Sequence, residues 1–327
     1  MVCNYFFYSI VTLLTFQRYE VECLCKFTRN SIIVTKTEIG AENKLNYKNI
    51  IYMSFLFILI SCSNTFNNPL IDMGAKIKYD DSNPDKNIQI ASVCLKSSRD
   101  KDENLLNIKN FITDIMLSDK KTRIILFPET ALGLYYDENS PEEYQMSVAE
   151  TIPGNATNFI GDLAFKYNVY ICFGMAEINN QILYNSQVLI NPSGNIEAVH
   201  RKNNFVAFDK KSGFQSVENY TIVTIDEIKF GLIICADSNS KWLIDKYSEN
   251  KIDIVLSSLA DMSLETEIDF LSRCLNSWVV KSNKTGYEGA NYYEGHFGIY
   301  NPVGSQVAGN KNGKEGYVVH NIGVHKK

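Results

Sequence analysis

The sequence predicts an α/β domain with mixed sheets, and two features of residues 86–327 support this prediction. Apolar segments typical of strands alternate with segments whose apolar residues recur at helical spacing. Pairs of strands joined by short turn sequences interrupt this alternation and indicate added hairpins. The 327-residue chain is 45% hydrophobic and 21% charged, as expected for an ordinary globular protein.

The predicted elements follow in chain order. The first half of the domain alternates strands and helices, with strands at 87–95, 123–129 and 169–177 and helices at 103–117 and within 146–168. Two hairpins follow, one that pairs 182–190 with 195–202 and one that pairs 220–225 with 228–235. A buried strand at 252–260 and a hairpin-like tail at 296–322 complete the domain.

Two apolar runs distinguish the first 62 residues. They span 5–16 and 50–61, each twelve residues long, which is short of the roughly 20 residues of a membrane-spanning helix. The second run follows Lys44 and Lys48 and ends in Leu-Ile-Ser-Cys62, which resembles the signal segment of a bacterial lipoprotein. This resemblance implies that Cys62 is lipidated and anchors the protein to the cell membrane or outer membrane, facing the periplasm or exterior.

The domain organisation follows from these features. We expect an N-terminal extension with a lipoprotein signal peptide at 1–62, a polar tether at 63–85 and the folded domain at 86–327. A lipoprotein signal should begin the chain, so we interpret 1–43 as lying before the true start. A genuine extension with two membrane-associated segments is the alternative.

Composition and spacing argue against several function classes. The net charge of −5, with scattered lysines, makes nucleic acid an unlikely partner. The sequence has no fixed-period repeat and no low-complexity tract. It also has no Cys-x-x-Cys pair, and its four histidines are dispersed, so we predict no metal site.

Three polar residues stand where predicted strands end: Glu129, Lys202 and Cys235. Taken singly, each has an ordinary structural interpretation, namely a surface or capping carboxylate, a solvated charge and a buried thiol. Their order, their spacings of 73 and 33 residues, and their position at strand ends favour a shared site instead.

The motifs around these residues resemble the nitrilase, or carbon–nitrogen hydrolase, superfamily. They are "FPE" at 127–129, "HRK" at 200–202 and "GLIICAD" at 231–237. The resemblance extends over nearly all of residues 86–322. It implies a four-layer αββα sandwich of two mixed sheets, assembled as a homodimer or higher homo-oligomer, that works without a cofactor.

The resemblance also implies a role for each residue. Cys235 would attack the carbon of an amide or nitrile and form a thioester, and Glu129 would serve as general base and then acid. Lys202 and the backbone N–H of Ala236 would stabilise the oxyanion. A cysteine of ordinary pKa is mostly thiol at neutral pH, so Cys235 needs such a base or a nearby cation.

The sequence departs from the family pattern in three places. Ala236 follows the cysteine where many members have an aromatic residue, and Asn276 replaces a glutamate in a later motif. The second glutamate usual after the lysine is also missing, since Lys210 stands near its place. Asp209 and Glu218 are the two acidic candidates for this fourth position.

The substrate pocket is expected beside the three site residues. Its candidate residues directly follow predicted strands or the cysteine, and they are Tyr135, Tyr136, Trp242, Leu259, Ala260 and Asp261. The tyrosines would suit a small substrate with an apolar portion, although paired tyrosines are at least as often packing.

Three functions are consistent with these residues. The first is an amidase that hydrolyses a non-peptide C–N bond of a small amide. The second is an N-acyltransferase that uses the same thioester, and the third is a lipoprotein that keeps the fold as a binding or scaffold module with weakened catalysis. Release of ammonia would distinguish the first from the second, and reactivity of Cys235 would distinguish both from the third.

Overall fold

The computed structural model describes three strands within residues 10–37, Tyr79, and residues 82–262, 268–310 and 313–325. Contacts divide the chain into two units, Met1–Ala75 and Lys76–Lys327. Cys62, the apolar run at 50–61 and most of the tether lie outside the described residues. Among the helices of the described part, none combines the length and apolar character required to cross a membrane.

The first unit contains a three-stranded antiparallel sheet. Its strands are β1 (Ile10–Phe16), β2 (Tyr19–Thr28) and β3 (Ser31–Thr37), with β2 in the centre. The first apolar run therefore contributes β1.

The second unit alternates strands with helices and contains several hairpins, as predicted. Its strands are β4 (Lys86–Leu95), β5 (Ile124–Leu126), β6 (Tyr170–Asn179), β7 (Ile182–Ile190), β8 (Ile196–Arg201), β9 (Ile222–Ile225), β10 (Ile228–Ile234), β11 (Ile254–Ser258), β12 (Trp278–Glu288), β13 (Asn291–Glu294), β14 (Phe297–Tyr300), β15 (Gln306–Asn310) and β16 (Gly316–Val324). Its helices are α1 (Lys101–Ser118), α2 (Pro141–Val148), α3 (Asn155–Tyr167), α4 (Ala207–Lys211), α5 (Lys241–Glu249) and α6 (Ile268–Leu275).

Two element boundaries differ from the prediction. The strand expected at 123–129 is only β5, because Pro128 has no N–H to continue a ladder. The helical pattern expected within 146–168 is split between α2 and α3, and Pro153 and Gly154 lie in the interruption. Both differences arise at residues that end regular structure.

Mixed pairing joins nine strands of this unit in one path, β8-β7-β6-β5-β4-β12-β11-β10-β9. The other four pair beside it: β13 and β14 with β12, β15 with β14, and β16 with β4. The central pairs β4–β5, β5–β6, β10–β11 and β11–β12 are parallel, whereas the hairpins β6–β7, β7–β8 and β9–β10 are antiparallel. Along this path, the strand pairing that joins the two halves is that of Asn283 and Lys284 of β12 with Cys94 and Leu95 of β4. This narrow junction lets the halves stack as two sheets.

Alternating side chains of the strands build the layers. Ile90 and Leu126 of one sheet face Phe230 and Leu256 of the other in a single apolar cluster between the sheets. Their strand neighbours point outward: Val93 and Ile125 join Ile108 of α1 and Ile160 of α3. On the other side, Ile233 and Val255 join Leu243 of α5 and Leu271 of α6. The unit is the four-layer αββα sandwich of the nitrilase type.

Candidate active site

The predicted site residues follow strands from both sheets. Glu129 lies just beyond β5, Lys202 just beyond β8 and Cys235 just beyond β10. The carboxyl ends of neighbouring parallel strands meet at one sheet edge, which is where α/β proteins place their sites. Glu129 also contacts the segment after β11, since its N–H donates to Leu259 O (3.3 Å) and its Oε2 accepts from Ala260 N (3.0 Å).

Glu129 is completely buried and held by polar partners on both oxygens. Its Oε1 accepts hydrogen bonds from Lys202 Nζ at 2.8 Å and from Asn185 Nδ2 at 2.7 Å. Burial raises the pKa of Glu129, and the nearby charge of Asp209 raises it further, although Lys202 acts in the opposite direction. This carboxylate is therefore more basic than an ordinary glutamate.

Asp209 supplies the fourth polar group, and Glu218 does not. Lys202 Nζ lies 2.8 Å from Asp209 Oδ2 and 3.0 Å from Oδ1. The N–H of Val206 also donates to Asp209 Oδ2 at 2.9 Å, which fixes the carboxylate at the start of α4. Glu218 is exposed on the following loop. Of the two candidates, the structure places only Asp209 beside the lysine.

Lys202 is a fully buried ammonium between two carboxylates. Burial alone would lower its pKa, but the charges of Glu129, Tyr135, Cys235 and Asp209 raise the pKa well above the ordinary lysine value. An ammonium has three N–H groups. Glu129 Oε1 and both oxygens of Asp209 lie within 3.0 Å of it, and Tyr135 Oη lies at a longer 3.4 Å, so acceptors surround the ammonium.

Cys235 sits at a sharp bend immediately after β10. Its φ of 44° is in the left-handed region, which L residues other than glycine and asparagine seldom occupy. The residue is partly accessible to solvent, although protein surrounds its thiol closely. Burial raises the pKa of Cys235 well above the ordinary value, as does the charge of Glu129, while Lys202 lowers it. The raised pKa favours the neutral thiol over the thiolate, and the charges of both Glu129 and Lys202 act on this group.

Three of the residues expected in the pocket belong to one buried aromatic cluster. Tyr135, Tyr136, Ala260 and Tyr293 form one buried cluster, with Phe208 packed against it and stacked on Tyr136 at 4.1 Å between ring centroids. No motif in the sequence pointed to Tyr293, which lies on the short strand β13, or to Phe208.

The other expected pocket residues divide between two places. Leu259 is buried beside Glu129, and the charge of Asp261 acts on the thiol of Cys235. Trp242 lies on α5, packs against a different apolar cluster and meets Tyr220 edge-on. The structure thus does not join Trp242 to the aromatic group around Tyr135.

A second buried ion pair supports the segment after Glu129. Lys284 Nζ donates to Glu288 Oε1 at 2.7 Å and to Gly133 O at 2.6 Å, and Glu288 Oε2 accepts from Tyr135 N at 2.8 Å. Burial lowers the pKa of Lys284. The sequence predicted no role for Lys284 or Glu288.

The remaining cysteines of the domain lie within strands or on a helix. Cys94 and Cys172 are buried within β4 and β6, Cys274 lies on α6, and all are free thiols. Burial raises the pKa of Cys94 to about 12. Within the described residues, no group of three or more His, Cys, Asp or Glu is arranged to hold a metal ion.

Comparison with known families identifies the fold and its chemistry. The model of the carbon–nitrogen hydrolase family matches residues 89–325. The chain belongs to the carbon–nitrogen hydrolase family. A protein named probable nitrilase from Schizosaccharomyces pombe is 26% identical over 231 residues, covering 67% of this chain and 82% of that protein. An omega-amidase from Bos taurus is 24% identical over 248 residues, covering 71% and 87% respectively.

Solved structures of this carbon–nitrogen hydrolase fold agree with the layer arrangement. A mutant of the amidase from Nesterenkonia sp. AN1, in complex with butyramide, superposes with a TM-score of 0.65 at 15% identity. The superposition covers 72% of this chain and 91% of that one. At this identity the likeness establishes the fold, and the sequence relatives establish an amide C–N hydrolase at the level of the family.

Proposed function

We propose that this carbon–nitrogen hydrolase is an amidase that releases ammonia from a small amide through a thioester on Cys235. One observation carries the proposal: Lys202 is buried between Glu129 and Asp209, and its charge lowers the pKa of Cys235. Cys235 is partly accessible to solvent and has a strained backbone. Buried charges are costly unless they are paired, and functional sites concentrate such perturbed groups.

The first step forms the bond between Cys235 Sγ and the amide carbon. Because the resting cysteine is a thiol, Glu129 takes its proton as the sulfur attacks. The raised pKa of Glu129 makes this transfer more favourable. The carbonyl π electrons move to oxygen, and the Lys202 ammonium, together with the Ala236 N–H, stabilises that oxyanion.

The second step breaks the C–N bond. Glu129 returns its proton to the leaving nitrogen, so ammonia departs and a thioester remains. Water then attacks the thioester, Glu129 accepts a water proton, and the carboxylic acid leaves as the thiol is restored. The sum is amide plus water to carboxylic acid plus ammonia, with the enzyme unchanged.

The surrounding residues favour amides with a small apolar acyl group. Tyr135, Tyr136, Tyr293 and Phe208 form an apolar aromatic cluster that also contains the small Ala260, whose N–H binds Glu129. Butyramide, which the Nesterenkonia amidase binds, has such an acyl group and is a reasonable first substrate.

A substrate panel tests this proposal. Residues 63–327 are assayed for ammonia release from acetamide, butyramide, benzamide and a dicarboxylic monoamide, with Cys235→Ala as the inactive control. Cys274→Ala serves as the matched control, because Cys274 is also partly accessible but lies on α6. The proposal predicts activity in the wild type and in Cys274→Ala alone. Activity that survives in Cys235→Ala, or an acylated amine formed without ammonia, would refute it.

The enzyme is further proposed to be lipid-anchored through Cys62. The support is the sequence pattern alone: an apolar run at 50–61, basic residues before it and a polar segment after it. A single acyl chain binds a membrane only marginally, so stable attachment requires the several chains of a lipoprotein anchor.

A further inference from the structure

The loop that carries Cys235 is organised by one buried carboxylate that the proposed chemistry does not use. Asp237, two residues after the cysteine, is completely buried. Its Oδ2 accepts from the N–H of Ile234 at 3.0 Å, just before the cysteine. Its Oδ1 accepts from the N–H groups of Asn203 and Asn204 at 2.9 and 2.8 Å.

These contacts join the two segments that carry reactive side chains. Ile234 directly precedes Cys235, and Asn203 directly follows Lys202. Asn204 adds a further connection, since its Nδ2 donates to Ala236 O at 2.8 Å. The relative position of the thiol, the ammonium and the Ala236 peptide therefore depends on Asp237.

His200 holds Asp237 from the opposite side. Its Nε2 lies 3.1 Å from Asp237 Oδ2, and its Nδ1 lies 3.2 Å from Thr221 Oγ1. A carboxylate can only accept, so the proton of this contact is on Nε2. His200 is completely buried and belongs to β8, the strand that ends before Lys202.

Strain at the cysteine makes such an anchor necessary. A φ of 44° at a non-glycine residue costs free energy and persists only where the surroundings enforce it. Asp237 accepts an N–H immediately before this residue while it also fixes the facing loop. Without this carboxylate the bend can relax and carry the thiol away from Glu129.

We propose that Asp237, oriented by His200, is a positioning residue that fixes the Cys235 bend against the Lys202 segment. The inference rests on the proposed function, because it assigns these residues to the placement of its nucleophile. Asp237→Asn should disturb these hydrogen bonds, because each carboxylate oxygen faces two donors and the NH₂ of asparagine would replace one of the two oxygens. His200→Phe removes the donor, whereas His200→Gln retains an N–H near the position of Nε2.

The test compares alkylation of Cys235 by iodoacetamide with alkylation of Cys274 in the same sample, together with kcat, KM and Tm. We expect Asp237→Asn and His200→Phe to lower both the Cys235 to Cys274 rate ratio and kcat by about 10–100-fold, with KM little changed. His200→Gln should retain most of the wild-type alkylation ratio and kcat. Asp253→Asn is the control, because Asp253 accepts Lys229 N–H at the opposite end of β10.

The outcomes separate this inference from the proposed function. If Asp237→Asn and His200→Phe lower Tm but keep the alkylation ratio and kcat, the two residues are only structural and the inference is wrong. If Asp237→Asn does not fold, the His200 variants decide: an equal alkylation ratio and an equal kcat in His200→Phe and His200→Gln would also refute the inference. A wild type that hydrolyses no amide refutes the proposed function, while the alkylation ratio still reports on positioning.

Discussion

At the scale of single residues, the site balances one buried cation against two buried carboxylates. Lys202 contacts Glu129 and Asp209, both at 2.8 Å, and all three side chains are fully buried. With both carboxylates ionised the group carries one net negative charge, which disfavours a thiolate nearby. Burial is the main reason that the pKa of Cys235 is raised, and the charge of Glu129 adds to it, so a base rather than a standing thiolate fits the site.

The pH dependence of kcat/KM follows from this balance. Glu129 must be ionised to accept the thiol proton, so activity falls as pH drops through its pKa, which burial raises above the ordinary value of about 4.3. The charge of Asp209 also raises that pKa. Asp209→Asn should therefore move the acidic limb of the kcat/KM profile to lower pH while reducing its plateau. An acidic limb that stays in place or moves upward would exclude Glu129 as the base.

Removal of the lysine charge should destabilise the protein strongly. Lys202→Met leaves two buried carboxylates together, and loss of one partner from a buried ion pair typically costs about 3–5 kcal/mol. The loss in unfolding free energy should shrink at acidic pH, because the carboxylates then become neutral. Urea denaturation at two pH values measures this.

The exposed pair Lys241–Asp245 provides a surface control for that measurement. Lys241→Met should change stability little at either pH, because solvent screens the pair. A Lys202→Met loss that does not depend on pH would indicate altered packing rather than uncompensated charge.

At the scale of elements, the close approach of β6 to residues 128–131 sets the position of Glu129, the proposed general base. Gly174 N donates to Pro128 O at 3.0 Å, and Ala131 N donates to Gly174 O at 2.8 Å. A Cβ at Gly174 would lie 2.6 Å from both Glu129 Cα and Thr130 N. The strand can pass this close only because residue 174 has no side chain.

Gly174→Ala should therefore displace Glu129 and impair catalysis. We expect a loss of about 1–3 kcal/mol in stability from overpacking and about 100-fold in kcat/KM from misplacement of the base. Gly316→Ala in β16 is the matched control, because a Cβ there meets no atom within 4 Å. Equal activity in the two variants would show that the Glu129 segment tolerates displacement.

At the scale of the whole molecule, the site uses both sheets of the sandwich. Glu129 and Lys202 follow strands of the sheet around β4, whereas Cys235 and Ala260 follow strands of the sheet around β12. Packing between the sheets, rather than either sheet alone, brings the groups together.

Much of this arrangement could be predicted from the sequence, but its side-chain partners could not. Strand ends, which hydrophobic periodicity reveals, together with motifs that resemble the nitrilase superfamily, pointed to Glu129, Lys202 and Cys235. Periodicity carries no information on contacts between distant segments, so Asp209 and Glu218 remained equal candidates and the Lys284–Glu288 pair was not predicted. The hydrogen bond of Glu288 to Tyr135 spans 153 residues of sequence and exists only through the fold.

The proposed anchor makes a prediction for the whole chain in a bacterial cell. The wild type should fractionate with the membrane, and Cys62→Ser should release it, because the apolar run at 50–61 is too short to span a bilayer. Membrane fractionation followed by immunoblotting measures both. A Cys62→Ser protein that stays with the membrane, or a wild type in the cytosolic fraction, would contradict lipidation at Cys62.

The most direct test of the central claim is the mass of the enzyme during turnover. The protein is mixed with an amide substrate, quenched in acid at short times and analysed intact and as tryptic peptides. The account predicts a transient increase equal to the acyl group, confined to the peptide Phe230–Lys241 that contains Cys235 and absent from the peptide with Cys274. Acid product that accumulates while Cys235 remains unmodified at every time, or an acyl group on another residue, would contradict it.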